Sequence, residues 1–426
     1  MALPEIKQNA TDARLAALTL PEGGWSAPAR RAALERVQRM GMPWRRDEYW
    51  RFTRPEQLVQ PVPPAAAAFA GADAMPFEEI DQLRIVFVDG VFDAEASDDL
   101  ALEGVRIERL AEIAAADIHW ARDLYGTLEE RGQSPVARPL AALNTAFATD
   151  GALIHVTATP SKPIGIIYRH ESESSDPMLH HIVRVDAGAE VTVLENGAGG
   201  ARFSSCTEID IADGGKLHHV RAQGRDHDRS AATHVFAQLG TGSVFKSFTM
   251  TLNGHLIRNE TVVELTGRDA LTHIAGACVG DGDFHHDDTV FITHSAPHCE
   301  SRQVFKKVLR NGAVGVFQGK ILVRPDAQKT DAYQLSQSLM LDHDSQFLAK
   351  PELEIHADDV ACSHGCTSGA IDEVGLFYLR SRGVPEARAV DLLTLAFLAE
   401  AVEEIEDERL AADVVGCLEG WLDRRR

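Results

Sequence analysis

The chain has 426 residues, 44% of them hydrophobic and 25% charged, and its 64 acidic and 42 basic side chains set the formal net charge at −22. Phosphate contact needs clustered Lys and Arg, so this balance argues against nucleic acid as the main ligand and against docking on an anionic membrane. At roughly 100–200 residues per unit, the length predicts about two to four structural units, with a core large enough to need no staples.

Residues 10–20 and 29–39 carry apolar side chains three and four apart, so the first 60 residues read as helical. GMPWRRDEYWRFTRPEQL follows, and its Trp44, Tyr49, Trp50 and Phe52 are expected to anchor this layer. PVPPAAAAFAGADAM (61–75) reads as a connection. RIVFVDGVFD (84–93) reads as a short hairpin turning at Asp89-Gly90. A further helical stretch is expected up to about Leu143.

From about Asp150 the texture changes to short alternating runs cut by Gly, Asp or Asn, as in IVRVDAGAEVTVLENGAGG (182–200). Val191 and Val193, and Ile209 and Ile211, alternate with polar neighbours, the period-2 signature of strands. Turn signals recur until about Pro325 with no strict repeat unit. A sandwich, a barrel or a solenoid of stacked β-coils all give this texture. After Ile371 helices return. Asp372 caps the first and Gly383 stops it, and Pro385 opens the next. Val390, Leu393, Phe397 and Ala401 stripe that second helix, and Leu410, Val414, Cys417 and Trp421 stripe a last one. The predicted organisation is a mostly helical unit over 1–145, a β core over 146–370 and a helical unit over 371–426.

The six cysteines, at 206, 278, 299, 362, 366 and 417, follow no repeating spacing and read as reduced thiols. With no charged-then-apolar leader and no run of about 18 apolar residues, the expected location is cytoplasmic. DDVACSHGCT (358–367) sets two cysteines and a histidine behind two carboxylates. If EIHADDVACSHGC is one extended run, Glu354, His356, Asp358, Cys362, His364 and Cys366 share a face. Unpaired carboxylates cost several kcal/mol to bury, so that face is wet or binds something. Metal or cluster ligands, structural thiols beside a surface histidine, and a Cys-His nucleophile all remain open. Residues ~6.6 Å apart along one strand cannot close a tetrahedral site unaided. His285-His286-Asp287-Asp288 and Thr293 to Cys299 are expected to be solvated turns, while His218 and His219 in one strand face opposite ways. NGAVGVFQGKI (311–321) lacks the Gly and Ser/Thr of a phosphate loop at Val314 and Ile321, and reads as two β runs with a Gly turn.

FQGKILVRPDAQKTDAYQLSQSLML (317–341) and PELEIHADDVACSHGCTSGAIDEVGLFYLRSRGV (351–384) resemble the C-terminal hallmark of the SufB/SufD family, scaffold proteins of the SUF iron–sulfur assembly system. MPWRRDEYWRFT is similar to a segment typical of SufD, and the N-terminal half lacks the CxxC-type cluster that SufB proteins often carry, so the likeness is greater to SufD. The resemblance implies a mainly β fold, a right-handed parallel β-helix flanked by helical domains. It implies a non-catalytic scaffold that pairs through the β-helix ends with a SufB-like subunit, or with itself as a homodimer. The C-terminal helices would dock a SufC-like ABC ATPase, the chain having no nucleotide site of its own. It implies further that Cys362 and His364 help to hold a nascent, transient iron–sulfur cluster shared with SufB. Both are expected to point outward from the last β-coil, where a sister subunit completes the coordination. The family usually has Ala where Cys366 stands, and Cys366 is expected to fill space rather than join the site. The competing readings are a β-helix enzyme acting on polysaccharide and a purely structural partner of SufB.

Overall fold

The computed structural model describes residues 3–68, 76–224 and 228–424. Helices α1 (Glu5–Ala16) and α2 (Ala27–Met40) open the chain. Pro at the first turn of α2 costs no hydrogen bond, and Gly41 at φ 66° ends the helix. A 3₁₀ turn at Glu48–Trp50 buries Tyr49 and Trp50, and α3 (Glu56–Val59) follows. Half-buried Trp44 and Phe52 contribute less to this layer than expected. Of the expected connection, Ala66 is buried and its N–H donates to the Glu173 carbonyl, while residues 69–75 lie outside the described residues.

The hairpin is present as β1 (Leu83–Val88) and β2 (Val91–Phe92), turning at Asp89-Gly90. The stretch expected to be helical up to Leu143 begins instead with β3 (Val105–Arg109), which pairs antiparallel with β4 (Ala152–Val156). Only short helices follow β3: α4 (Leu110–Ile113), α5 (Thr127–Arg131) and the fully buried α6 (Pro139–Phe147). Val105 and Ile107 alternate with Arg106 and Glu108, a period-2 run too short to outweigh the helical reading, and pairing with β4, distant in the sequence, settles it as a strand.

Beyond β4 come β5 (Ile164–Arg169), β6 (Met178–Val185), β7 (Glu190–Gly197), β8 (Arg202–Ile211), β9 (Lys216–Gln223), β10 (Ser230–Leu239), β11 (Val244–Leu252) and β12 (Leu256–Leu265). The series continues with β13 (Leu271–Asp281), β14 (His285–His294), β15 (Glu300–Arg310), β16 (Val314–Val323), β17 (Asp331–Met340), β18 (Gln346–Ile355) and β19 (Ala361–Gly369). From β4 on, even strands stack in parallel in a nine-stranded sheet ending at β18, and odd strands in a ten-stranded sheet ending at β19. Each coil is one strand of each sheet, so the fold is a parallel β-solenoid. Arg202 stands beside Ser230, Ser230 beside Leu256, Leu256 beside His285, and Val314 beside Gln346, so coils differ in length by several residues. That variation explains why no strict repeat is visible in the sequence. NGAVGVFQGKI is not two β runs with a Gly turn: it opens on the Asn311-Gly312 corner, with Gly312 at φ 86°, and Val314 onward is the single strand β16, with Gly315 and Gly319 inside it.

The inner face holds a continuous apolar core from Ile85 and Ile154 through Val235, Ile274 and Phe305 to Phe317. Helices cover both outer faces. Trp25, Trp50, Tyr125, Leu143 and Phe147 pack on Met178, Ile182, Ala232 and Leu256 of the nine-stranded sheet. On the ten-stranded sheet, α8 (Glu386–Val402) and α9 (Glu408–Arg424) set Leu398, Ala401, Leu410, Val414, Leu418 and Trp421 against Val220, Phe248, Ala275 and Val304. The buried stripe of α8 is Ala389, Thr394, Leu398 and Ala401, about one position round from the one read in the sequence.

The histidine–aspartate stretch is not a solvated turn. His285–His294 is strand β14, in which His286, Asp287, Asp288 and His294 are buried. Their charges are compensated, which is how a core strand tolerates them. Asp287 pairs with Arg258 and accepts from Thr53 at 2.5 Å. Asp288 accepts from Lys307 at 2.6 Å. Arg258 also holds Glu260 at 2.7 Å, and Glu260 holds Arg138 at 2.9 Å. Of the second stretch, only Ser295–His298 forms the expected turn. His219 is buried and His218 half-buried, as opposite faces of one strand require.

Candidate functional site at the open end of the solenoid

β18 and β19 are the last strands of their sheets, so one edge of each has no strand beside it among the described residues. EIHADDVACSHGC is not one extended run. β18 ends at Ile355, residues 356–360 turn, and β19 starts in the other sheet. Glu354, His356 and Asp358 therefore do not share a face with the cysteines. Glu354 lies 2.6 Å from Lys320 and 3.0 Å from His356, out in solvent, so its charge needs no bound ion.

Within β19 the alternation holds. Cys362, His364 and Cys366 lie in register with Ala332, Gln334 and Ser336 of β17, all three buried. Cys362 packs against Ile321, Val323, Ala332 and Ala357, and Cys366 against the central core. This face looks into the solenoid, which corrects the expected outward direction. Both thiols are half-buried, and His364 is exposed, because no coil lies above β19 to cover them. The site opens along the solenoid axis and not from its side. Across from β19, the same end is lined by Phe347, Leu353 and Ile355 of β18, the last 40% exposed.

Burial pushes the Cys362 thiol up, and the Asp331 carboxylate adds to this against a backbone N–H contact at Ala332. Burial alone raises Cys366. Both are thus protonated at neutral pH in the lone chain and need a metal or a cation to become thiolates. Among the described residues no three His, Cys, Asp or Glu side chains are arranged to hold a metal ion. Cys362 and His364 can supply one soft and one borderline ligand, and the remainder must come from outside the chain. Sequence reasoning missed the supporting layer of Gln334, Ser336 and Gly319. The register of β17 with β19 sets Gln334 behind His364 and Ser336 behind Cys366, and Gly319 of the opposite sheet faces the Gln334 amide.

A family model described as the SUF system FeS cluster assembly SufBD core domain matches residues 168–397, and one for the SufBD protein N-terminal region matches 26–164. The iron–sulfur cluster assembly protein SufD of Escherichia coli is 28% identical over 420 residues, 92% of either chain. A SufBD family iron–sulfur cluster assembly protein of Synechocystis is 30% identical over 410 residues, 88% of this chain and 86% of that one. The SufD of Bacillus subtilis is 26% identical over 290 residues, 66% of either chain. The core-domain match spans more than half of the chain, and the chain is a member of the SufBD family of SUF-system iron–sulfur cluster assembly proteins.

Proposed function

We propose that the chain is a scaffold subunit whose open solenoid end pairs with a SufB-like subunit, and that Cys362 and His364 contribute ligands to a cluster built between the two. The observation that carries this reading is the placement of a half-buried thiol and an exposed imidazole on the inner face of a terminal edge strand. An edge strand is a template for another chain. β19, ACSHGCTSG, has no Asp, Glu, Lys, Arg or Pro to blunt it. A partner that continues the sheet would cover the site and bring the missing ligands. The iron and sulfide of the cluster are cargo in this reading, and the protein's part is to hold and orient them.

The C-terminal helices are the proposed dock for a SufC-like ABC ATPase. In α7 (Glu373–Ser381) no residue is buried, and Val374, Phe377 and Tyr378 are 77%, 74% and 55% exposed. These three lie at i, i+3 and i+4, one apolar face of a helix, which suits a helix-in-groove contact. Asp372 caps the helix by accepting from the Val374 and Gly375 N–H groups, so the face is held ready without a partner.

The reading predicts that His364→Ala leaves the complex assembled but abolishes cluster build-up. Anaerobic reconstitution with SufB- and SufC-like subunits, followed by iron and sulfide determination, checks it. A wild-type yield removes His364 from the mechanism, and a wild-type yield for Cys362→Ala as well leaves a purely structural partner.

A further inference from the structure

We propose that Gln334 is a positioning residue for His364. Once the open end is covered by a partner, its side-chain amide oxygen accepts the imidazole Nδ1–H, which leaves the Nε2 lone pair free for a metal. The inference rests on the reading of His364 as a ligand. Three observations support it. First, Gln334 and His364 are register partners on β17 and β19, and their side chains share the inner face. Paired strands lie about 4.8 Å apart, within reach of a side-chain hydrogen bond.

Second, Gln334 is fully buried, yet neither amide atom has a hydrogen-bond partner. The residue behind it in register, Gln303, is in the same state, and behind Gln303 stands apolar Ile274. A file of two unpartnered amides thus starts at the dry core and ends at the exposed imidazole. A buried polar group without a partner costs about 1–3 kcal/mol. Amides placed here point to a partner gained at the open end. Third, the opposite sheet makes room for this amide. A Cβ on Gly319 would meet the Gln334 Oε1 first, then its Cδ at 2.7 Å and its Nε2 at 2.8 Å. Gly319 thus keeps the amide extended across the interior. A metal-bound histidine almost always donates its other ring N–H to such an acceptor, and loss of the acceptor typically costs about 10–100-fold in affinity.

The test uses the chain with ¹⁵N-labelled histidine, recorded alone and after addition of its SufB-like partner. Wild-type His364 is expected as the Nδ1–H tautomer in the pair, and Gln334→Met, close in shape but without an acceptor, as the Nε2–H tautomer. Gln334→Glu should keep the Nδ1–H form. In reconstitution, Gln334→Met should lower iron and sulfide content by about tenfold or more, while Gln334→Glu stays near wild type. The same His364 tautomer in wild type and Gln334→Met, alone and in the pair, overturns the proposal. Should the Met variant not fold, Gln334→Asn, one methylene too short, serves in its place with the same criterion. The His364→Ala yield separates the two ideas: a wild-type yield there defeats the ligand reading, whereas an unchanged tautomer defeats the positioning of His364 by Gln334.

Discussion

The solenoid has two ends, and the chain treats them oppositely. At the first end the sheets close with antiparallel pieces. β2 is two residues long and turns back on β1, with Phe92 opposite Phe87. Leu100, Leu102 and Phe92 pack over the core there, and Arg109 stacks on Phe92 at 4.1 Å. The β3 edge carries an Arg106–Glu108 pair at 2.7 Å. A short strand and a charged one are two of the standard ways to blunt a sheet edge. At the far end β18 and β19 run ten and nine residues, and the inner face stays partly in water. The N-terminal segment ties down β18, through Tyr49 to Glu352 and Glu48 to Lys350 at 2.7 Å. Among the described residues β19 has no such tie. Stacked coils need a terminal cap to be soluble and complete. The difference teaches that this chain caps one end itself and, in the proposed pairing, takes the other cap from a neighbour.

The largest effect should come from placing a charge in the uncapped interior. Ile355→Lys is harmless in the lone chain, where the position is 40% exposed. In a complex it buries an unpaired ammonium, at a cost of several kcal/mol. Pairing with a SufB-like subunit should weaken at least about 100-fold by sedimentation, a loss that 2.8 kcal/mol or so produces. Val91→Lys at the capped end, 70% exposed, should change nothing. Equal loss from both variants would break the comparison.

The groups buried inside the solenoid and beneath its N-terminal helices should also be acid-sensitive. Burial holds His181, His234 and His294 down to about 4, although the Glu195 and Glu260 carboxylates oppose this for the first two. Their folded values lie below the unfolded value near 6.5, so the unfolded chain binds more protons between pH 6.5 and 4. Stability therefore falls as pH drops through that window, by up to about 3 kcal/mol per histidine. For Glu260, burial works upward, but Arg258 and Arg138 outweigh it and hold it at about 2. Its contribution is present above pH 4.5 and lost toward pH 2. Urea midpoints from pH 7 to 4 should drop steadily, and His234→Gln should flatten the slope. A pH-independent midpoint would mean that water reaches these buried groups.

The smallest effect concerns the third surface. Phe377→Ala should leave the unfolding free energy within about 0.5 kcal/mol, as for other exposed sites. It should nonetheless release a SufC-like ATPase in a pull-down. Retained binding would place the dock elsewhere on the helices.

Much of the fold was legible where period and punctuation were local. The helix cap at Asp372, the stop at Gly383 and the Asp89-Gly90 hairpin each depend on a few adjacent residues. Cys362 and His364 stood out by residue type, and their shared face followed from alternation along one strand. The turn at 356–360 was misread because EIHADDV also alternates, and two short strands in different sheets look like one long strand. β14 was misread because HHDDT is polar by composition. Only partners distant in the sequence, such as Arg258, Lys307 and Thr53, make it a core strand.

The sequence by itself determined the helix–β–helix order, the acidic surface and which side chains can bind iron or sulfide. These are properties of single residues and their near neighbours. The tertiary structure alone decided that the β runs stack as a solenoid, that its inner face carries Cys362 and His364, and that Gln334 lies beneath them. Those facts depend on register between strands about 30 residues apart, for example His364 beside Gln334. The physical reason is that a parallel strand finds its hydrogen bonds and its covered face only in the next coil. No local pattern specifies which residue will stand opposite, nor that the last coil has none.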